Sequence, residues 1–274
     1  MKNAITVDLE DWYHVCGVEE LSDPENWKNY ESRVCRNTEK VLKLLSEYNT
    51  KATFFVLGYI AFKEPSLIQI IREEGHELAT HGFFHRRVFE LTPVEFEEDL
   101  KRSIDAISTA SNSEVAGFRA PEWSIRPDTF WAFEILARNQ IKYDSSLVPL
   151  TRMGCRKYPR FPCKIKTPAG DIWEFPLSTY RIFHENLPFS GGLPLRLTPY
   201  FYILHCIHKL NRMGRPAVVY LHPWELDREK PVIELPFSRR FMHYFNISAT
   251  EKKIRGLMKY LKFAPISEVL GLRR

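Results

Sequence analysis

The sequence predicts an α/β protein built as a distorted, incomplete (β/α)7-type barrel of parallel strands. Short apolar runs rich in β-branched residues alternate with segments of helical periodicity, the pattern of repeated βαβ units. About seven such units can be counted, enough for a sheet to curl towards closure, and α/β barrels of this length usually form one domain. The conspicuous polar residues stand directly after the apolar runs, where the loops of such a barrel converge. A single domain over residues 1–274 is therefore expected, the polar residues after its apolar runs falling within residues 4–225 and a C-terminal extension, 226–274, packing on it.

Each element has a local reason. Lys2 to Val7 reads as a first strand that stops at Asp8, Glu10 and Asp11. Over Asn37 to Tyr48, Val41, Leu44, Leu45 and Tyr48 fall on one helical face. Ala52 to Leu57 is a second strand, ended by Gly58. Pro65 to Glu74 is helical, with proline in the first turn and Gly75 as its stop, and His76 to Thr80 is a third strand. Thr92-Pro93-Val94-Glu95 has the form of a capping box opening a helix that should reach Ser108. Val115 to Phe118 is a fourth strand ending at Arg119, and Pro127 to Asn139 is helical. Lys142 and Tyr143 form a short strand ending at Asp144, and Ile172 to Phe175 another. Cys155 to Pro168 and Asn186 to Pro199, rich in breakers, read as long loops. Thr198-Pro199 opens a helix stopped by Gly214, and Ala217 to Leu221 is a strand that runs into His222. Ser248-Ala249-Thr250-Glu251 reads as a second capping box, before a helix with Ile254, Leu257, Met258 and Leu261 on one face.

Composition narrows the function. Hydrophobic residues make up 44% and charged residues 27%, enough apolar surface for a full core. The net charge of +5 is spread along the chain rather than gathered in a stripe, which argues against nucleic acid as a partner. The opening M-K-N-A-I-T-V-D-L-E-D-W meets acidic residues too early for a signal peptide, and no apolar run is long enough for a transmembrane segment. The five cysteines are odd in number and lack C-x-x-C spacing, which favours a reducing compartment. Together these point to the cytoplasm.

The sharpest chemical signal is T-H-G-F-F-H, Thr80 to His85, which sets His81 and His85 four residues apart. On a helical turn, two imidazoles so spaced point the same way and can grip a divalent ion that a carboxylate completes. Alone, such a pair is more often two ordinary solvated or core histidines. The cluster Asp8, Glu10 and Asp11 changes that balance, because carboxylates held together are costly without a cation among them. His205 and His208, three apart on a helix, read as ordinary histidines. In isolation Arg119 would be a salt bridge and Asp144 a turn cap. Trp12, Trp123, Trp173 and Trp224 lie near strand ends and suit either a sugar-binding wall or the core. Ser190 to Arg196 could shape a sugar subsite or only a turn.

Taken in order, A-I-T-V-D (Ala4 to Asp8), T-H-G-F-F-H (Thr80 to His85), F-R-A-P-E-W (Phe118 to Trp123), Y-D-S-S (Tyr143 to Ser146) and V-V-Y-L-H (Val218 to His222) resemble the five motifs of the carbohydrate esterase family 4 polysaccharide deacetylases. The likeness is greatest to the branch without an export signal, linked to exopolysaccharide loci, whose first motif reads D-x-E-D-[WY]. The resemblance implies hydrolysis of the acetyl amide of an N-acetylated sugar or oligosaccharide with a divalent metal ion, Zn²⁺ foremost. It implies Asp8 as general base, His81 and His85 as metal ligands, Arg119 as the residue orienting the base, and His222 as general acid paired with Asp144. Pro121, Trp123 and Leu221 within the motifs, with Trp12 and Trp173 beside them, are the expected substrate contacts. One departure stands out: Leu9 follows Asp8 where the family has a second aspartate, so the metal carboxylate is Glu10 or Asp11. Alternation favours Glu10 if the strand continues, whereas Asp11 reaches only if the strand ends at Asp8.

The chemistry fits these residue types independently. Amide hydrolysis needs a nucleophile, a stabilised oxyanion and a proton for the departing amine. Two other readings compete: hydrolysis of another linear amide, such as a ureide or formamido-sugar, and a catalytically silent carbohydrate-binding relative. A base and an acid kept together at Asp8 and His222 argue against the silent form.

Overall fold

Side-chain alternation along the first strand sets the architecture. In β1 (Lys2–Leu9), Ile5, Val7 and Leu9 pack into the large cluster shared with the helices, while Ala4 lies in a separate cluster on the opposite face of the sheet. That opposite face is the inner one, and Asp8, in phase with Ala4, belongs to it. The computed structural model of the chain describes residues 1–151 and 154–272.

The remaining strands are β2 (Thr53–Val56), β3 (Glu77–Thr80), β4 (Gly117–Phe118), β5 (Tyr143–Asp144), β6 (Cys163–Thr167), β7 (Gly170–Glu174), β8 (Thr179–Ile182), β9 (Glu185–Pro188), β10 (Val218–Leu221) and β11 (Lys262–Ala264). The main sheet runs β10-β1-β2-β3-β4-β5-β7-β6, with β11 alongside β1. From β10 to β7 every neighbour is parallel; β6 alone returns antiparallel on β7. The sheet does not close, since β10 and β6 form its two ends. An incomplete barrel of parallel strands was the expected class, and it is the one observed.

Helices Val34–Glu47, Pro65–Glu73, Pro93–Ser111, Tyr200–Arg212 and Ser248–Tyr260 surround the sheet. Their apolar faces supply Val41, Leu44, Leu45, Ile68, Ile107, Ile203, Ile207, Ile254 and Leu257 to the outer core, all nearly or wholly shut off from water. Each such side chain contributes roughly 1.5–3 kcal/mol by burial. The helix opened by Thr92 carries a complete capping box: Glu95 N donates to Thr92 Oγ1 at 3.3 Å and Thr92 N to Glu95 Oε2 at 2.8 Å. It runs to Ser111, past the expected Ser108, and ends at Asn112 in the left-handed region (φ 50°).

Three expectations are corrected. The C-terminal helix exists, but Ile247 already has helical angles and Thr250 N bonds to Ile247 O, so Ser248 lies inside the first turn and caps nothing. The stretch Cys155 to Pro168 contains β6, whose alternating half-exposed pattern is hidden by its lysines and by the prolines that flank it, Pro162 and Pro168. The stretch Asn186 to Pro199 contains most of β9, paired with β8 in a separate hairpin, and a short helix, Gly192–Leu197.

Beyond residue 226 the chain packs back on the barrel. Lys262–Ala264 pairs with Lys2–Ala4, and Ile266 joins Ala4, Phe55, Tyr143 and Val218 in the inner cluster. Among the described residues no helix is long and apolar enough to cross a membrane, and all five cysteines are free.

Candidate active site

Four parallel strands deliver the polar residues at their C-terminal ends: β1 is followed by Glu10, β3 by His81, β4 by Arg119 and β10 by His222. Glu10 is the meeting point. Its Oε1 lies 3.0 Å from His81 Nε2 and 2.9 Å from His85 Nε2, and all three side chains are buried. The potential ligand atoms of Glu10, His81 and His85 lie within 4.8 Å of one another. The far side of each ring is engaged, His81 Nδ1 with Arg119 O at 2.6 Å and His85 Nδ1 with Cys16 Sγ at 3.2 Å. An imidazole that donates through Nδ1 presents its Nε2 lone pair to an ion, so this donor set suits a divalent metal such as Zn²⁺ with positions left open. Burial alone would raise the Glu10 pKa, but the charges of His85 and His222 and hydrogen bonds from His81 and His85 hold it well below the usual range.

The two histidines do not sit on the expected helical turn. Residues 81–85 form an irregular loop in which Gly82 (φ 74°) and His85 (φ 55°) both take left-handed angles. The helix Pro93–Ser111 imposes this shape: Asp99 accepts from Phe83 N at 2.7 Å and Phe84 N at 3.3 Å, and Ser103 Oγ donates to Gly82 O at 2.9 Å. A Cβ at position 82 would stand 2.9 Å from Asp99 Oδ2, which adds a packing reason for glycine.

Asp11 has another task. Its Oδ2 accepts from Ser32 Oγ (2.8 Å), Arg33 N (2.9 Å) and Val34 N (3.2 Å), closing the N-terminus of the Val34–Glu47 helix. The strand continues through Leu9, so alternation turns Glu10 to the side of Asp8 and leaves Asp11 for the helix. Of the two carboxylates left open by the sequence, the structure brings Glu10 to the histidines and keeps Asp11 from them.

Asp8 is locked to Arg119, whose Nη1 reaches Asp8 Oδ1 at 2.5 Å and Thr6 Oγ1 at 2.8 Å. The guanidinium also donates to Ser145 O and Ser145 Oγ and lies over the rings of Phe55 and Trp123, 4.0 and 4.6 Å from their centroids. On the far side of Asp8 from Arg119, His222 Nε2 stands 4.0 Å from Asp8 Oδ2 and 3.9 Å from Glu10 Oε2. Burial pushes the His222 pKa down, yet Glu10, Glu225 and Asp8 outweigh it and raise it above the ordinary value.

The expected pairing of His222 with Asp144 is not present. Asp144 is in register with Phe118 and with Glu174, so the three share one face of the sheet, and Phe118 packs into the helix-side core. On that face Asp144 accepts from Ser146 N (2.9 Å) and Ser146 Oγ (2.6 Å). Burial together with the neighbouring Asp144 drives the Glu174 pKa well up. The carboxylate beside His222 is instead Glu225, whose Oε2 lies 3.4 Å from His222 Nδ1.

The expected substrate contacts divide. Trp123 packs over Arg119 and edge-on to Tyr220 (5.3 Å), and Pro121 begins the same short turn. Leu221 faces the helices and is wholly buried in the outer core, away from the face that carries Asp8. Trp12 is likewise core: its Nε1 donates to Glu31 O and its ring packs against Tyr13 and Tyr30. Trp173 packs against the inner cluster around Tyr143. Trp224 stacks on His222 at 4.8 Å. His205 and His208 are exposed on their helix. Ser190 to Arg196 closes against Tyr220, where a Cβ on Gly191 would meet the ring at 2.0 Å.

Sequence reasoning missed Asp99, Arg196 and Glu225. Only Glu225 left a trace: H-P-W-E, His222 to Glu225, has the spacing of a helical entry whose fourth residue reaches back, and Glu225 Oε2 does accept from His222 N at 3.1 Å.

Residues 29–141 match the family model described as polysaccharide deacetylase, and residues 145–271 match one described as a domain of unknown function (DUF3473). The chain is 29% identical over 109 residues to a peptidoglycan deacetylase of Helicobacter pylori, 40% of this chain and 36% of that protein. It is 30% identical over 100 residues to a chitooligosaccharide deacetylase of Bradyrhizobium, 36% of this chain and 43% of that one. The matches thus span less than half the length of these relatives. A Mycobacterium smegmatis structure provisionally described as a polysaccharide deacetylase superposes with a TM-score of 0.66 at 21% identity, over 99% of this chain and 90% of that one. The family model and the relatives support the polysaccharide deacetylase family, and the superposition shows the shared fold.

Proposed function

From the polysaccharide deacetylase match and the Glu10–His81–His85 cluster, we infer that this chain is a metal-dependent hydrolase that removes acetyl groups from an N-acetylated sugar or oligosaccharide. One observation carries the reading: two histidine Nε2 atoms converge on a single Glu10 oxygen, with Asp8 on one flank and His222 on the other. Glu10, His81 and His85 would hold a divalent ion, Zn²⁺ or a close equivalent. Such an ion, when bound, lowers the pKa of water and polarises a carbonyl.

The chain's own groups do the remaining work. Asp8 accepts a proton from the attacking water, with Arg119 holding its carboxylate in place. His222 gives a proton to the amine nitrogen as the C–N bond breaks, leaving acetate and a free amino sugar. Trp123, fixed over Arg119, is the aromatic placed to border the acetamido group.

The D-x-E-D-W form of Asp8 to Trp12 favours the exopolysaccharide-linked branch, with a precursor sugar as substrate. Five free cysteines support action in a reducing compartment, the cytoplasm. Both matched segments contribute strands to one sheet, β4 of the first reaching β7 of the second through β5, which lies between the two matches, and this supports one domain.

The test is acetate release from N-acetylglucosamine oligomers by purified protein, with metal content measured on the same sample. Acetate should appear in step with free amine, stop on chelation and return with Zn²⁺. Metal-loaded protein that releases no acetate from any of a panel of N-acetylated sugars overturns the reading.

A further inference from the structure

Around His222 the structure adds a carboxylate, Glu225, that the sequence did not mark. His222 presents two edges. Its Nε2 edge faces Asp8 and Glu10, and its Nδ1 edge faces Glu225 Oε2 at 3.4 Å. The same Glu225 oxygen accepts from His222 N, so the carboxylate grips both the backbone and the ring of one residue. The other oxygen, Oε1, lies 3.1 Å from Arg196 Nε, and both side chains are buried. A carboxylate so deep in the protein needs a fixed countercharge. Arg196 is fixed: its Nη1 donates to Phe245 O at 2.8 Å and its Nη2 to Met242 O at 2.5 Å, carbonyls at the C-terminal end of the Phe237–Tyr244 helix that have no partner within it. Trp224 sets the plane of the imidazole, stacking on His222 at 4.8 Å and on His243 at 4.4 Å.

We propose that Glu225, clamped by Arg196, is the positioning residue that keeps a proton on His222 Nδ1 and turns His222 Nε2 to the substrate. The inference rests on the hydrolase reading above and goes beyond it, because it gives the segment matched to a domain of unknown function a task, the proton-donating half of the site. Asp144 cannot perform this task from the helix-side face, where Ser146 occupies its oxygens. With Nδ1 held by Glu225, His222 gives up its Nε2 proton to the leaving amine and relaxes to the neutral Nδ1–H form, ready to be protonated again at Nε2. This is the role of the third member of a hydrolytic triad, transferred to a general acid.

Two measurements test it. In the first, metal-dependent hydrolysis of an N-acetylglucosamine oligomer is compared with that of 4-nitrophenyl acetate, whose phenolate leaves without a proton. Glu225→Gln should lose about 10–100-fold on the amide, the usual effect of removing a residue that orients a reacting group, while the ester rate stays near wild type. Glu225→Asp should regain part of the loss. Equal loss on both substrates at unchanged metal content and unfolding midpoint, or no loss on either, overturns the proposal. In the second, 15N-histidine NMR reads the His222 ring, identified by its disappearance in His222→Asn. The Nδ1 proton should persist in wild type and in Asp144→Asn and give way to mixed tautomers in Glu225→Gln; the reverse pattern overturns the proposal. This readout needs no turnover, so an inactive wild type with the expected spectra sinks the hydrolase reading and leaves the Glu225 assignment standing.

Discussion

Arg119 Nη1 and Asp8 Oδ1 stand 2.5 Å apart with both residues shut off from solvent, so each is the other's principal countercharge. Removing one partner strands the other. Arg119→Met should therefore destabilise the fold by about 3–5 kcal/mol in urea unfolding, the usual cost of an uncompensated buried charge. Adding Asp8→Asn to Arg119→Met should restore part of that loss. If Arg119→Met unfolds at the wild-type midpoint, Asp8 is not carried as a charge.

Asp8→Asn alone separates proton transfer from metal binding. The variant leaves Arg119 without its countercharge, so its unfolding midpoint should fall; while folded it should keep its metal and lose about 10²–10⁴ in kcat, the value of a positioned general base. Loss of metal from Asp8→Asn would make Asp8 a ligand and leave the base to be found elsewhere.

Glu10 and Asp11 are neighbours in sequence with different duties, and elemental analysis distinguishes them. Glu10→Gln and His81→Ala should empty the site. Asp11→Asn should retain metal, while Asp11→Ala should cost roughly 0.5–2 kcal/mol of stability through the uncapped helix beginning at Val34. Full metal occupancy in His81→Ala contradicts the proposed ligand set.

Acid should weaken the fold through His76. This ring is buried, its Nδ1 accepts from Ala52 N at 3.1 Å, and burial, aided by Lys51, pushes its pKa down to about 4. An unfolded histidine takes up its proton near 6.5. Between those values the unfolded chain binds more protons, so the stability present above about pH 6.5 is lost as pH falls towards 4, by about 1–3 kcal/mol. His76→Asn keeps an acceptor for Ala52 N without titrating and should flatten the slope of Tm against pH. Identical slopes in the two proteins count against the assignment.

Much of the fold and part of the site were legible because they are local patterns. A β-branched run that stops at a polar residue marks a strand end, and Asp8, His81, Arg119 and His222 were all readable that way. What escaped depends on partners far along the chain. Choosing between Glu10 and Asp11 required knowing that the Val34–Glu47 helix would bring its bare N–H groups to Asp11. Placing Asp144 required the register that sets it beside Phe118 and Glu174. Arg196 is held by carbonyls at Met242 and Phe245, a relationship with no periodicity to read. The β8–β9 hairpin is written in E-N-L-P, residues of low strand preference that pair because they are tethered to Thr179–Ile182.

The pairing of β1 has a consequence for the order in which the molecule assembles. The strand carrying Asp8 is bordered by Thr53–Val56, by Val218–Leu221 and, along Lys2–Ala4, by Lys262–Ala264. A ribosome releases these neighbours in that order, and the first contact closes a short loop while the last spans almost the whole described chain. Long-range parallel pairing is slow because loop closure precedes its reward. A nascent chain halted before residue 218 would thus hold Asp8, Glu10, His81, His85 and Arg119 yet lack the strand that supplies His222. The proposed base and the candidate ligands come from early-made chain and the proposed acid from late, so the proposed hydrolytic competence should arise in a single late step of synthesis.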